Sequence, residues 1–224
     1  MAQVAVDAGI VVALAVSVVG VALFVRAVRT IVGVVSLGGP ARRDDQPGRR
    51  WRNLLVETLG HTRMLQRPLV GVAHWFVFIA FGALFFTLVT AYGQLFDPRF
   101  VLPVIGHWLV YEWAAELIAW AGLLAIAYLV GVRLAARGRG RASRFFGSHG
   151  GKGLYVELTI LGIVVCVLLL RSLESQLLGA GPNPTTRWDF PLTWFLLRGG
   201  ISTAALETAV PLVAAAKIVI SMAW

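Results

Sequence analysis

The hydrophobic positions of this chain are gathered into long uninterrupted runs. Five such runs recur, at about 9–36, 70–93, 107–131, 154–171 and 201–224. A helix needs about 20 apolar residues to cross a hydrocarbon core of about 30 Å, whereas a barrel strand needs only about ten alternating ones. The pattern therefore predicts an all-α fold, a polytopic transmembrane helix bundle of about five spans.

The polar stretches between the runs differ in charge. The connections after the first and third runs hold most of the arginines, whereas the other two carry one or two arginines beside Asp97 and Asp189. Because positive loops stay in the cytoplasm, this asymmetry predicts a cytoplasmic C-terminus and an N-terminus outside. The net charge of +9 does not indicate nucleic acid, since RRDDQPGRR and RLAARGRGRASR contain no base-stacking aromatics.

The two ends of the chain bear on its organisation. The start, MAQVAVDAGI, lacks the positive region of a secretory signal. The last run reaches Trp224 without a polar stop, so 1–224 is expected to be a single transmembrane domain, the N-terminal part of a longer chain with a cytoplasmic domain. The single cysteine, Cys166, excludes a cysteine-ligated iron–sulfur cluster held by this segment alone.

Two histidines flank a basic segment ahead of the second run. Trp51, Leu54, Leu55 and Leu59 precede it at helical spacing and predict a short amphipathic helix at the cytoplasmic interface. His61 and His74 are 13 residues apart. On one straight helix they would lie about 20 Å apart on opposed faces. Pro68 and Gly71 break that helix, so a shared site is possible but not required.

Histidine inside a membrane span is a candidate haem ligand. His74 would present a neutral imidazole to haem b iron, with Arg63 and Arg67 placed to pair with the propionates. The alternative is an interfacial histidine solvated by water or lipid headgroups. His107 opens the third span at the opposite side; it would serve a second haem or be an ordinary interfacial residue.

Carboxylates and a lysine also fall within the predicted spans, where ionisable residues are expensive and mark functional sites. Glu112 and Glu116 are four residues apart and project from one face of the third span. They suit proton exchange with a quinol, or are neutralised by Arg171 or Arg198. Lys217 needs a buried partner such as a quinone carbonyl, a propionate or a glutamate, or must reach the cytoplasmic face.

Several segments together resemble a known family. GHTRMLQRPLVGVAHWFVF, VYEWAAELIAW, ELTILGIVVCVLLLRSLE and AAAKIVISMAW are similar to the membrane domains of heterodisulfide-reductase-like iron–sulfur oxidoreductases. These are related to the haem-b gamma subunit of respiratory nitrate reductase, and the likeness is nearest to membrane-bound electron-transfer-flavoprotein dehydrogenases. The resemblance matches His74 to the ligand position of the second span and His61 to the GH of the interfacial segment.

The resemblance implies a function in the cell membrane of a bacterium. Electrons from reduced electron-transfer flavoprotein would pass through iron–sulfur clusters, on the missing region or a partner, to menaquinone, linking fatty-acid β-oxidation to respiration. Glu112, Glu116 and Lys217 are then the candidate catalytic residues, and His61, His74, His107, Arg63 and Arg67 the candidate haem-binding ones. The alternatives are a cofactor-free membrane anchor for the iron–sulfur domain and a transporter.

Overall fold

The chain folds into helices joined by turns and loops. A computed structural model describes residues 1–39, 45–62, 64–106, 108–138, 150–180, 185–186, 188–197 and 199–223. Within these ranges there is no strand, which confirms the predicted all-α class. The α-helices of the described residues are α1 (Ala2–Ser36), α2 (Pro47–Leu54), α3 (Pro68–Ala83), α4 (Phe85–Gln94), α5 (Leu109–Gly138), α6 (Gly150–Gly179) and α7 (Thr203–Met222).

The predicted spans correspond to these helices. Four of them, α1, α5, α6 and α7, are long and apolar enough to cross a membrane, and α3 with α4 makes a fifth if the bent pair counts as one span. The run 70–93 is not one helix, because α3 and α4 meet at an angle of 42°. At the bend both the amide and the hydroxyl of Thr87 donate to the carbonyl of Leu84.

Contacts between loops and helix ends define two ends of the bundle. At the first, which we call the Arg171 end, α4 and α6 finish and α5 and α7 begin. There Arg99 donates to the carbonyl of Leu177 at 3.0 Å and pairs with Glu207 at 3.1 Å. At the other, the His61 end, Tyr155 donates to the carbonyl of Ala223, and Arg133 pairs with Glu157 at 2.7 Å.

Helix α7 is at the centre of the bundle and packs against α1, α4 and α6, while α5 packs against α3 and α6. The largest core cluster draws side chains from four helices, α1, α4, α6 and α7, including Ala13, Ala91, Leu177, Val210 and Ile218. Helix α1 runs parallel to α7, since Gly9 lies against Ala215 and Gly20 lies against Met222. Small residues at such contacts allow two helix backbones to approach closely in a membrane.

The basic segment before α3 forms helix α2, which continues into a π turn at Leu55–Leu59. All residues of α2 are exposed, its apolar ones included, with Trp51 64% and Leu54 49% exposed. This geometry agrees with the amphipathic helix that the spacing predicts.

Candidate functional site

A cluster of buried charges lies at the Arg171 end. Arg171 on α6 ion-pairs with Glu112 on α5, and its Nε lies 3.6 Å from Glu116. A third carboxylate, Glu174, stands one turn further along α6, 3.9 Å from Arg171 Nη1. None of the four side chains exposes more than 12% of its surface. The sequence suggested Arg171 or Arg198 as the cation that neutralises Glu112 and Glu116. The cluster contains Arg171, whereas Arg198 lies outside the described residues.

The same cluster holds the segment 188–197 in place. Glu116 accepts hydrogen bonds from the amide of Leu192 at 2.6 Å and from the hydroxyl of Thr193. Phe190 is 2% exposed and lies under the Arg171 guanidinium, 4.6 Å from its Cζ. A segment without regular secondary structure is tolerated among membrane spans where protein groups make hydrogen bonds to it, as Glu116 does here. Glu116 therefore anchors this segment to the bundle.

Lys217 is buried about three-quarters of the way along α7, with 1% of its surface exposed. Its Nζ donates to the carbonyl of Thr87 at 2.6 Å and to the Thr87 hydroxyl at 2.8 Å. The sequence leaves open whether this lysine reaches the cytoplasmic face or has a buried partner. The structure gives it a buried partner, just beyond the bend between α3 and α4.

Two cavities meet at Lys217. The larger one, of about 540 Å³, is bounded by five helix spans and is almost wholly apolar. Lys217 and Ser221 are its only polar side chains among the described residues; the other wall residues are Gly20, Val21, Phe24, Val77, Ala80, Phe81, Leu84, Phe85, Leu88, Gly122, Ile160, Ile163, Val164 and Met222. The smaller one, of about 40 Å³, lies on the side of the charge cluster. We call them the apolar cavity and the polar cavity.

The structure brings His61 and His74 together. Their ring centroids are 5.5 Å apart, and His61 also lies 4.5 Å from the ring of Phe78. A backbone reversal makes this possible, because Gly71 lets the backbone of Met64 approach so closely that a Cβ at Gly71 would lie 2.2 Å from the Met64 carbonyl oxygen. The interpretation that Pro68 and Gly71 allow the chain to fold back agrees with this geometry.

The chemistry of the pair suits metal ligation. The Nδ1 atoms of His61 and His74 are both buried without a hydrogen-bond partner among the described residues. Two imidazoles are a donor set that haem b iron takes, so the chemistry of the two donor side chains fits that group. No group of three or more potential metal ligands occurs in the part of the chain that the structure describes.

Of the remaining predicted haem residues, Arg67 is the one that the structure describes. Arg67 caps the start of α3 and is exposed. Arg63 and His107 lie outside the described residues.

Several residues of the site were not singled out by the sequence. Gln94 on α4 is 1% exposed and donates to Glu174. Thr87 lies seven residues before it and therefore on the same face of the helix. Two polar residues seven positions apart in an apolar run are the sequence signal that could have identified Thr87 and Gln94. Thr193, fully buried against Glu116, has no such signal because it lies in an irregular segment.

Comparison with known proteins identifies no relative. No family model matches the chain, and neither a curated protein nor a solved structure is significantly similar to it.

Proposed function

We propose that this chain is the membrane domain of a respiratory oxidoreductase that passes electrons to a quinone, and that the apolar cavity is the quinone site. The observation that carries the proposal is the apolar cavity itself, with the Lys217 ammonium in its wall. Ligand pockets of about 300–1,000 Å³, mostly apolar and with a few placed polar groups, are typical of small-molecule sites. The cavity has both properties.

A quinone matches this lining chemically. Its ring and isoprenoid tail are apolar, and its two carbonyl oxygens accept hydrogen bonds. The side chains of Lys217 and Ser221 would supply donors, while the branched and aromatic side chains of the other wall residues would contact the tail. On reduction each quinone oxygen takes a proton, so an ammonium in the wall has a chemical role as well as a binding one.

The electron donor follows from the family resemblance. Electrons would come from reduced electron-transfer flavoprotein, through iron–sulfur clusters in a cytoplasmic region, to menaquinone in a bacterial cell membrane, as part of fatty-acid β-oxidation. With the arginine-rich connections in the cytoplasm, as the positive-inside rule predicts, the His61 end would be on the cytoplasmic side and both the N-terminus and the Arg171 end outside. The clusters would then face the His61 end.

A haem b would be held by His61 and His74. When bound, it supplies a one-electron carrier between the cytoplasmic donor and the bundle. What supports this part of the proposal is the pair of buried Nδ1 atoms that have no partner among the described residues.

The test of the quinone site is direct binding. Menaquinone-4 is titrated into the purified protein in lipid nanodiscs, and tryptophan quenching gives the Kd. Ile163→Trp fills the apolar cavity and should weaken binding at least about tenfold, a change of about 1.4 kcal/mol. Leu158→Trp is the matched control, because Leu158 is on the same helix, is 49% exposed and lines neither cavity. Absence of binding to the wild type, or equal binding by both variants, would overturn the proposal.

A transporter is the second candidate, since a bent span with buried charges beside it is typical of transporter binding sites. The 42° bend between α3 and α4 and the contact of Lys217 with Thr87 just beyond it have these features. Solute uptake into proteoliposomes without a redox partner would favour this candidate. If the protein neither binds menaquinone-4 nor transports solute, the interpretation as a cofactor-free membrane anchor remains.

A further inference from the structure

The polar cavity connects the charge cluster with Lys217. Its wall includes Gln94, Glu112, Arg171 and Glu174 on one side and Lys217 on the other. Lys217 also lines the apolar cavity. One side chain thus lines both a polar cavity that extends among residues of the Arg171 end and an apolar cavity further along the bundle.

Unpaired polar atoms in this wall call for water. Gln94 Oε1 and Thr185 Oγ1 are buried, line the cavity and have no hydrogen-bond partner among the described residues. Gln94 as a whole is only 1% exposed. Buried polar atoms are almost always satisfied, and a cavity of about 40 Å³ holds about two or three water molecules. Ordered water in this space would join the carboxylates to Lys217.

The charges around the cavity do not balance. Among the side chains that the structure describes with at most 12% of their surface exposed, three carboxylates, Glu112, Glu116 and Glu174, face two cations, Arg171 and Lys217. Asp189, also in the cavity wall, is held by the amide and hydroxyl of Thr186. An uncompensated charge is very unfavourable in a low-dielectric interior, so the cluster is expected to carry one exchangeable proton.

We propose that Glu174, the water of the polar cavity and Lys217 form a proton path from the Arg171 end of the bundle to the apolar cavity. The path rests on the proposed quinone site. In each proton transfer an N–H bond of the Lys217 ammonium breaks and an O–H bond to the reduced quinone forms. Lys217 then recovers its proton from Glu174 through the cavity water. Two electrons from the one-electron carriers of the donor and two protons together convert quinone to quinol.

The direction of the path has an energetic consequence. With the Arg171 end outside, the protons that form quinol are taken from the side opposite the electron donor. Charge then crosses the membrane in each turnover, because electrons and protons enter from opposite faces. The membrane potential would thus act directly on the reaction.

The experiment uses infrared difference spectroscopy of the protein with bound menaquinone-4, with electrons supplied by an electrode through soluble mediators. In the wild type, reduction of the quinone should change the band of a protonated carboxyl group, and Glu174→Gln should lack that change. Lys217→Met should bind menaquinone-4 more weakly, since Lys217 is also a donor to the quinone, and at saturating menaquinone-4 should form quinol at least about tenfold more slowly, with the carboxyl band unaffected by reduction. Lys152→Met is the control, since Lys152 is exposed at the start of α6 and lines neither cavity.

The outcomes separate the two proposals. If the wild type shows no bound quinone, the quinone site is wrong. If quinone binds and is reduced without any carboxyl change, or if Lys217→Met matches Lys152→Met, the proton path is wrong and the quinone site stands. The double variant Lys217→Met with Glu174→Gln removes one positive and one negative group, so it keeps the buried charge balance and should reproduce the slow quinol formation in a folded protein.

Discussion

Arg171 on α6 is ion-paired with Glu112 on α5, and each side chain exposes only 7% of its surface. The pair is joined by Glu116 and Glu174, so one guanidinium lies within ion-pair distance of three carboxylates at this end of the bundle.

Arg171→Ala should therefore destabilise the protein strongly. Removing one member of a buried ion pair leaves its partners uncompensated and costs about 3–5 kcal/mol. Unfolding of the purified protein by sodium dodecyl sulfate, followed by circular dichroism, measures the loss. Arg50→Ala is the control, because Arg50 pairs with Asp45 at 2.5 Å in an exposed setting and such pairs contribute about 0–1 kcal/mol. Equal losses in the two variants would contradict the role of Arg171.

Thr193→Val should loosen the segment 188–197. Thr193 is fully buried, and its hydroxyl donates to the Glu116 carboxylate. A hydrogen bond to a charged group contributes about 1.5–3 kcal/mol. Hydrogen exchange of the Leu192 amide, which also donates to Glu116, should become faster. Thr208→Val, whose hydroxyl donates only within its own helix to Ala204, should leave that rate unchanged; a faster rate there too would indicate a general effect.

Gly71→Ala should separate the His61 segment from α3. The added Cβ would lie 2.2 Å from the carbonyl oxygen of Met64, which is backbone and cannot rotate away. The amides of Met64 and Leu65 donate to the carbonyl of His61 at 2.9 and 3.1 Å, so their hydrogen exchange reports the displacement. A Cβ at Gly82 meets nothing within 4 Å, and Gly82→Ala should stabilise α3 by about 0.5–1 kcal/mol. Unchanged exchange in Gly71→Ala would refute the close packing.

Haem binding is tested by a dithionite-reduced minus oxidised visible spectrum of the purified protein. We expect a sharp α-band of haem b in the wild type, lost in His74→Ala and lost or shifted in His61→Ala, because both rings lie in one site. Helical content should be unchanged. A band that survives both substitutions would exclude this pair as the ligands, and a flat wild-type spectrum would exclude the haem.

The sidedness of the bundle is tested by cysteine labelling in a Cys166→Ser background. Gly48→Cys, at the start of α2, should react with an impermeant maleimide only in inside-out vesicles. Thr186→Cys, beside the polar cavity at the Arg171 end, should react only in right-side-out vesicles. Both residues are exposed, so a failure to react reflects the membrane and not burial. The reverse pattern would invert the proposed direction of proton entry.

The sequence predicted the fold class because length and apolarity alone decide whether a helix can cross a membrane. The sequence predicted the ends of the helices less accurately. Helix α6 covers Gly150–Gly179 although its apolar run covers about 154–171. Helical hydrogen bonding continues beyond the apolar stretch into residues such as Glu174, which is buried by other parts of the protein.

The bend at Leu84 and the burial of Lys217 could not be predicted because they depend on each other across 130 positions of sequence. Nothing near Leu84 resembles a proline kink. Similarly, the meeting of His61 and His74 depends on the path of the chain between them. The sequence indicated a break at Pro68 and Gly71 but not its direction.

Helix α1 has a consequence for how the apolar cavity is reached. It supplies Gly20, Val21 and Phe24 to the cavity wall, yet only 6% of its membrane-spanning window is buried, against 22% for α5 and 39% for α6 and α7. One side of the wall is therefore formed by the helix with the smallest buried share of these four. Sideways tilting of α1 would let a lipid-soluble molecule enter the cavity from the plane of the bilayer. Such a molecule would not have to pass through water.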